Sequence, residues 1–318
     1  MSARAWFAFG AVSVLWGMPY LFIKVAVDDG VPPAFLAWVR VALAAVLLGV
    51  LAWRAGLLPS LRGRWRWIAT YALVEIVVPF PLIAAGEQWV SSSLAAILIA
   101  AVPLIIAVLA LRFDHSERVD GGRLVGLLVG FAGVVALVGI DVAGNADELL
   151  GTAAILVAAV GYAAGPMIMR NHLGDLDPRA LMAASLALAA LALTPAALVA
   201  PPESGALTTE AVVALVVLGV FCTATAFVLF GHLVLEVGAG KAAVITYVAP
   251  VVAVALGVAV LGERPGVGAV AGLLLIIAGS WLATGGKPPS GLAAATTRLR
   301  SNPWRRQARP HAGTEAGG

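Results

Sequence analysis

The chain is a succession of apolar runs about 20 residues long, the length that crosses about 30 Å of hydrocarbon at about 1.5 Å per residue. Ten such runs can be read in the sequence, at about 6–27, 33–53, 66–86, 89–111, 121–140, 149–170, 178–200, 209–235, 240–261 and 266–285. Hydrocarbon offers the backbone no hydrogen-bond partner, so each run is expected to be a helix. Composition agrees with this. Of the 318 residues 61% are hydrophobic and 12% charged, and the mean hydropathy is +1.00, whereas a soluble domain is about half apolar and about a quarter charged. A water-soluble enzyme and a disordered chain are both excluded. The expected fold class is an all-α membrane protein of ten transmembrane helices. The first run is too long for a signal peptide and lacks a convincing cleavage site. Residues 286–318, rich in Pro, Ser, Gly and Arg, read as a disordered basic tail.

The charge is placed in a way that orients the chain. Of 20 Lys and Arg, Lys24 and Arg40 lie within runs and Arg264 alone lies on the side opposite the N-terminus. The other 17 fall on the N-terminal side, in short loops and the tail. Loops rich in Lys and Arg stay in the cytoplasm, so both termini are expected there. The formal net charge is +3. Because the basic residues are spread over loops and tail rather than over one folded face, no nucleic-acid partner is expected. The expected partners are the lipid bilayer and a small-molecule substrate. Cys222 is the only cysteine, and His115, His172, His232 and His311 have no ligand spacing. No disulfide, metal site or cofactor is therefore expected. There is no nucleotide-binding or hydrolase motif, which argues against an enzyme and against an ATP-driven pump on this chain.

The sequence repeats itself. Val90–Pro103 (VSSSLAAILIAAVP) aligns with Val237–Pro250 (VGAGKAAVITYVAP) at an offset of 147 residues. After a one-residue gap Glu117-Arg118 aligns with Glu263-Arg264, and Gly122, Gly126, Gly133 and Gly139 align with Gly268, Gly272, Gly279 and Gly285. Each repeat holds five helices, at 6–140 and 149–285. An odd number of helices inserts the two copies in opposite orientations, and inverted repeats are a feature of secondary transporters.

These residues carry a family resemblance. Trp16-Gly17 and Lys24 in the first helix, Arg40 in the second, and the twice-occurring Pro…Glu pattern (Pro103 with Glu117, Pro250 with Gly262-Glu263) resemble the drug/metabolite transporter superfamily of the EamA type, with two five-helix domains. The resemblance covers roughly residues 6–285. It implies export or exchange of small metabolites, such as amino acids, across a bacterial inner membrane. The second half has no clear Trp-Gly or Lys equivalent before Arg170, so the resemblance does not imply a symmetric site.

Three ionisable residues fall inside helices of the first half: Lys24, about 6 Å from the far end, Arg40, about 10 Å deep, and Glu75, about 14 Å deep. Charges in hydrocarbon cost at least about 2.5–3.5 kcal/mol each, so they usually face a cavity or a partner. Lys24 is expected to reach the surface near Asp28 and Asp29. Arg40 is either paired with Glu75 or left for an anionic group of the substrate. Glu75 is that partner or a proton-coupling site. The expected substrate-binding residues are Trp16, Tyr20, Arg40, Glu75, Tyr162, Thr246 and Tyr247, with Thr223 and Thr225 nearby or bonded to their own helix. Pro103 and Pro250 are expected to break their helices at matching places. Glu117 and Glu263 are expected to be structural caps at helix starts. The 147-residue offset also sets Cys222 opposite Glu75.

The function expected is a secondary transporter, an exporter of amino-acid-like or amphipathic metabolites working by alternating access. The alternatives are a facilitative exchanger of nucleotide-sugar-like anions, an intramembrane lipid-modifying enzyme, and a membrane scaffold. Topology is open to direct test: a reporter fused after Gly286 should be active only as a cytoplasmic fusion, and activity confined to the periplasm would refute the ten-helix reading.

Overall fold

The computed structural model describes residues 2–113, 121–142, 144–237, 242 and 244–283. Glu117 and the tail at 286–318 lie outside the described residues. Within them run α1 (Ala3–Asp28), α2 (Pro33–Arg54), α3 (Trp65–Gly86), α4 (Ser92–Leu109), α5 (Leu124–Ile140), α6 (Ala146–His172), α7 (Pro178–Val199), α8 (Thr209–Val234), α9 (Ile245–Leu261) and α10 (Val267–Leu282). Seven are long and apolar enough to cross a membrane; α5, α9 and α10 are shorter apolar helices. The chain is thus an all-α membrane protein, and among the described residues there is no strand.

Helix starts follow from local chemistry. Side-chain oxygens of Ser2, Ser91, Asn145, Asp177 and Thr208 accept from N–H groups of the first turns of α1, α4, α6, α7 and α8, which otherwise have no partner inside the helix. Trp6, Trp53, Trp65, Trp67 and Trp89 stand exposed near helix ends, where indole rings settle at a membrane interface.

The helices are interrupted where proline or a local change of winding removes regular bonds. α1 breaks at Met18, before Pro19, and α4 breaks at Ala100-Ala101, just before Pro103. α3 widens into a π turn over Leu73–Val77, before Pro79, and α8 does so over Val217–Thr225. Pro250 corrects the expectation of matched breaks: α9 runs unbroken through it. The proline ring opposes the carbonyl four residues back, here that of Thr246 in the first turn of α9, where the chain has most room to adjust.

The packing obeys an exchange of the two five-helix halves. α2 lies on α7, α5 on α10 and α4 on α9, each pair mapping onto itself. The contact of α3 with α6 maps onto that of α8 with α1, and α4 with α6 onto α9 with α1. The repeated glycines make the α5–α10 crossing possible. A Cβ on Gly279 would lie 2.3 Å from the Gly130 backbone nitrogen, and one on Gly133 would lie 3.0 Å from the Gly272 carbonyl oxygen. Small residues let backbones approach where dispersion, rather than water, must hold helices together. Gly279→Leu should therefore destabilise the protein by about 1–3 kcal/mol or more, read as a lowered midpoint of thermal unfolding in detergent. Gly10→Leu, where an added Cβ meets nothing within 4 Å, should leave it unchanged.

Candidate functional site

The π turns of α3 and α8 place the most unusual side chains. Glu75 lies in the π turn of α3 and Cys222 and Thr223 in that of α8. Glu75 and Cys222 correspond under the repeat offset, so both halves change winding at matching places, and such turns are frequent at functional sites. In the α8 stretch Thr223 Oγ1 donates to the Leu218 carbonyl and Thr225 Oγ1 to that of Val220, each at 2.8 Å. Thr223 Oγ1 then keeps a lone pair for a further donor.

That donor is Arg40, whose Nε bonds Thr223 Oγ1 at 2.9 Å. Arg40 is 7% exposed. Its Cζ stands 4.1 Å from the centroid of the Phe80 ring, and Phe80 follows Pro79 just after the α3 π turn. The negative face of the ring offsets part of the cost of burying the cation. Phe80 in turn meets Tyr162 edge to face, with centroids 6.5 Å apart. The guanidinium lies within electrostatic range of Tyr20, Tyr162, Glu87 and Cys222. α1, α2, α3, α6 and α8 thus converge on one buried cation. Gly219 lets α8 approach α2: a Cβ there would be 3.1 Å from the Arg40 carbonyl oxygen.

The pairing of Arg40 with Glu75 does not form. Among the described residues the ion pairs are Lys24–Asp28, Arg64–Asp175 and Arg179–Asp177. Glu75 points instead toward α6, where its Oε2 is buried without a hydrogen-bond partner and a Cβ on Gly165 would lie 1.8 Å from it. Tyr71 and Tyr162 lie within its electrostatic range. Tyr162 is thus within electrostatic range of both the cation and the acid. The use of Gly165 as the space for a carboxylate was not legible in the sequence.

The remaining expected site residues are distributed more widely. Trp16 packs against Phe227 and Phe230 of α8, at 5.9 and 4.7 Å between centroids. Tyr20 is buried and joins the Arg40 neighbourhood. Thr246 and Tyr247 are half-buried in the first turn of α9, which packs chiefly against α1 and α4. A groove of about 800 Å³ lies apart from Arg40, between the start of α1 and the end of α8, where Arg4, Phe7, His232 and Glu236 line it. Cys222 is 1% exposed.

The end of the bundle opposite the N-terminus is tied by polar contacts. Lys24 Nζ lies 2.9 Å from Asp28 Oδ1 and donates to the Glu87 main-chain carbonyl at 2.9 Å, the surface-seeking arrangement its depth suggested. Thr208 Oγ1 donates to Asp29, joining α1 to α8. Glu263 accepts from the N–H groups of Ser92 and Ser93 at 2.7 and 3.0 Å, and from Ser93 Oγ. The helix it caps is α4 of the other half, rather than the one it precedes, because the inverted packing of α4 on α9 brings that orphan N-terminus to it. A Cβ on Gly257 would meet the Glu263 carboxylate at 2.4 Å. Glu87 at the end of α3 escaped sequence reasoning because it sits between two apolar runs and resembles a loop residue.

The comparisons with known proteins cover nearly all of this architecture. The model of the EamA-like transporter family matches twice, at residues 4–139 and 149–285. The uncharacterized inner membrane transporter YedA of Escherichia coli is 30% identical over 260 residues, covering 80% of this chain and 81% of its own. The uncharacterized transporter YoaV of Bacillus subtilis is 24% identical, covering 86% of this chain and 94% of its own. A solved crystal structure shares the fold with a TM-score of 0.63, at 20% identity, over 95% of this chain and 100% of its own.

The Glu75–Gly165 contact generates a double-mutant test. Gly165→Val should destabilise the protein by about 1–3 kcal/mol through overpacking. Glu75→Ala in the same chain should restore much of that loss, because the two residues occupy one space. Additive effects on the unfolding midpoint would show that the contact is not what constrains Gly165.

Proposed function

The chain belongs to the EamA-like transporter family, and from that premise we propose that it is a secondary transporter exporting small amino-acid-like or amphipathic metabolites across the bacterial inner membrane by alternating access. That the protein is a transporter and not an enzyme follows from the family itself. The inner-membrane location, the export direction and the cytoplasmic termini belong to the proposal.

The observation that carries it is Arg40. A guanidinium buried in a membrane bundle is costly, and a carboxylate partner would be the usual means of offsetting that cost. Among the described residues Arg40 has a hydroxyl and an aromatic face instead. A carboxylate-bearing solute supplies the missing charge, and a guanidinium can bind it through two parallel N–H bonds. Tyr20, Tyr162 and Phe80 provide apolar and hydroxyl surface for the rest of such a molecule. Trp16 extends that surface along α8. Thr246 and Tyr247 contribute on the α9 side as the two halves move. Glu75, whose Oε2 has no donor in this conformation, is the coupling candidate beside the substrate: a neutral acid is far cheaper to bury than a charged one.

The exchanger of nucleotide-sugar-like anions is less well supported. A diphosphate calls for at least a second free cation near Arg40, whereas Lys24 is engaged by Asp28 and the Glu87 carbonyl.

Purified protein in liposomes should move labelled amino acids without ATP, and an imposed pH gradient should raise the rate. Arg40→Gln should lower uptake of carboxylate-bearing solutes at least tenfold, while Glu75→Gln should keep exchange and lose the response to the gradient. Uptake that requires ATP, or that is indifferent to Arg40→Gln in folded protein, would overturn this reading.

A further inference from the structure

Glu87, just past the end of α3, is a second buried acid. It is 0% exposed, and neither of its carboxylate oxygens has a hydrogen-bond partner. The ionisable groups around it are Tyr20, Lys24 and Asp28 of α1, Arg40 of α2 and Glu263 at the α9–α10 connection. Two of these are acids. Glu263 takes three donors, the N–H groups of Ser92 and Ser93 and the Ser93 hydroxyl. Lys24, the nearest cation along α1, spends its ammonium on Asp28 and on the Glu87 main-chain oxygen, not on the Glu87 carboxylate.

An ionised Glu87 in this place would be a desolvated charge with no donor on either oxygen and with Asp28 and Glu263 repelling it. Such a charge costs several kcal/mol, and a neutral carboxyl loses much less. The packing described here therefore suits the acid form. Loss of the proton would change what Lys24 prefers. Its ammonium already rests on the backbone of residue 87, so transfer from Asp28 to the Glu87 carboxylate needs only a side-chain movement. That transfer removes the restraint on Asp28. Lys24 and Asp28 pair within the last turn of α1, and the next residue, Asp29, accepts from Thr208, the N-cap of α8, so the transfer releases Asp28 directly beside the contact that joins α1 to the second half.

We propose that Glu87 is a proton-binding residue that controls the seal at the end of the bundle opposite the N-terminus: protonated when this side is closed, ionised and paired with Lys24 when it opens. In the opening step the Glu87 O–H bond breaks, the proton passes to water on that side, and the carboxylate accepts a hydrogen bond from the Lys24 ammonium. The proton thus favours the closed state, and by reciprocity closure favours proton binding. The consequence for flux rests on the transport reading; the protonation itself does not.

Infrared difference spectroscopy of the full chain in lipid nanodiscs, titrated from acid to alkaline pH, reads this directly through the carbonyl stretch of protonated carboxyl groups. Wild-type protein should show such a band that vanishes as pH rises, that persists in Glu75→Gln and that is missing from Glu87→Gln. Lys24→Met, which removes the waiting cation, should move its midpoint to higher pH by about one unit or more, a change that a purely structural Glu87 would not produce. A band unaltered in Glu87→Gln overturns the proposal. If Glu87→Gln does not insert, the other two variants decide: a band kept in Glu75→Gln and shifted in Lys24→Met supports it, and a band unshifted in Lys24→Met overturns it. Failure of ATP-free uptake in liposomes would sink the transport reading while leaving these spectra unaffected.

Discussion

Hydrocarbon gives a backbone group nothing to bond with, and most of this architecture follows from that. Each span must satisfy itself as a helix. Wherever a helix is interrupted, something nearby must meet the freed groups. In the π stretch of α8 the hydroxyls of Thr223 and Thr225 meet the carbonyls of Leu218 and Val220. At the start of α4 a carboxylate from the other half, Glu263, meets the N–H groups of Ser92 and Ser93. Several of the chemistry-bearing side chains lie at or beside these interruptions. Arg40 is held by one such threonine, and Glu75 is part of one such turn.

The inverted repeat supplies the frame, and the site departs from it. Matched glycines let α5 and α10 cross, and matched π turns occur in α3 and α8. Yet Glu75 corresponds to a cysteine, and Trp16 and Lys24 have no clear counterpart in the second half. A symmetric frame permits the two halves to exchange conformations. The acids and the cation on one half only allow those two conformations to differ in their affinity for protons and solute, and only a ligand that distinguishes two states can shift their balance.

Among the described residues the buried Arg40, Glu75 and Glu87 are kept apart. Arg40 faces Thr223 and Phe80, Glu75 faces Gly165, and Glu87 sits near Lys24 without bonding it through its carboxylate. A closed network of mutual ion pairs would be stable but would leave nothing for a solute or a proton to change. Turning Arg40 toward α8 and Glu75 toward α6 keeps each available, at a cost to stability that the tight glycine crossings and broad apolar cores help to offset.

The sequence by itself determined the spans, their number, the repeat and the position of Lys24, Arg40 and Glu75 along their helices, because these depend on position along an axis and the rise per residue is constant. It also placed Pro103 where α4 breaks and Glu263 at a helix start, although the start that Glu263 meets is that of α4 and not its own. The tertiary structure alone decided which side chains meet. Arg40 and Glu75 lie at similar depth by residue count, which left both a pair and a free cation open, and α2 turns Arg40 toward α8 while α3 turns Glu75 toward α6. Glu87, which resembled a loop residue, is buried where α6 packs on the end of α3 and α1 and the α9–α10 connection stand beside it. Gly165 matters only because a carboxylate from another helix occupies its missing side chain. Depth follows from counting residues, whereas the direction a side chain faces depends on which neighbour its helix packs against, and that is set by contacts between residues far apart in the chain.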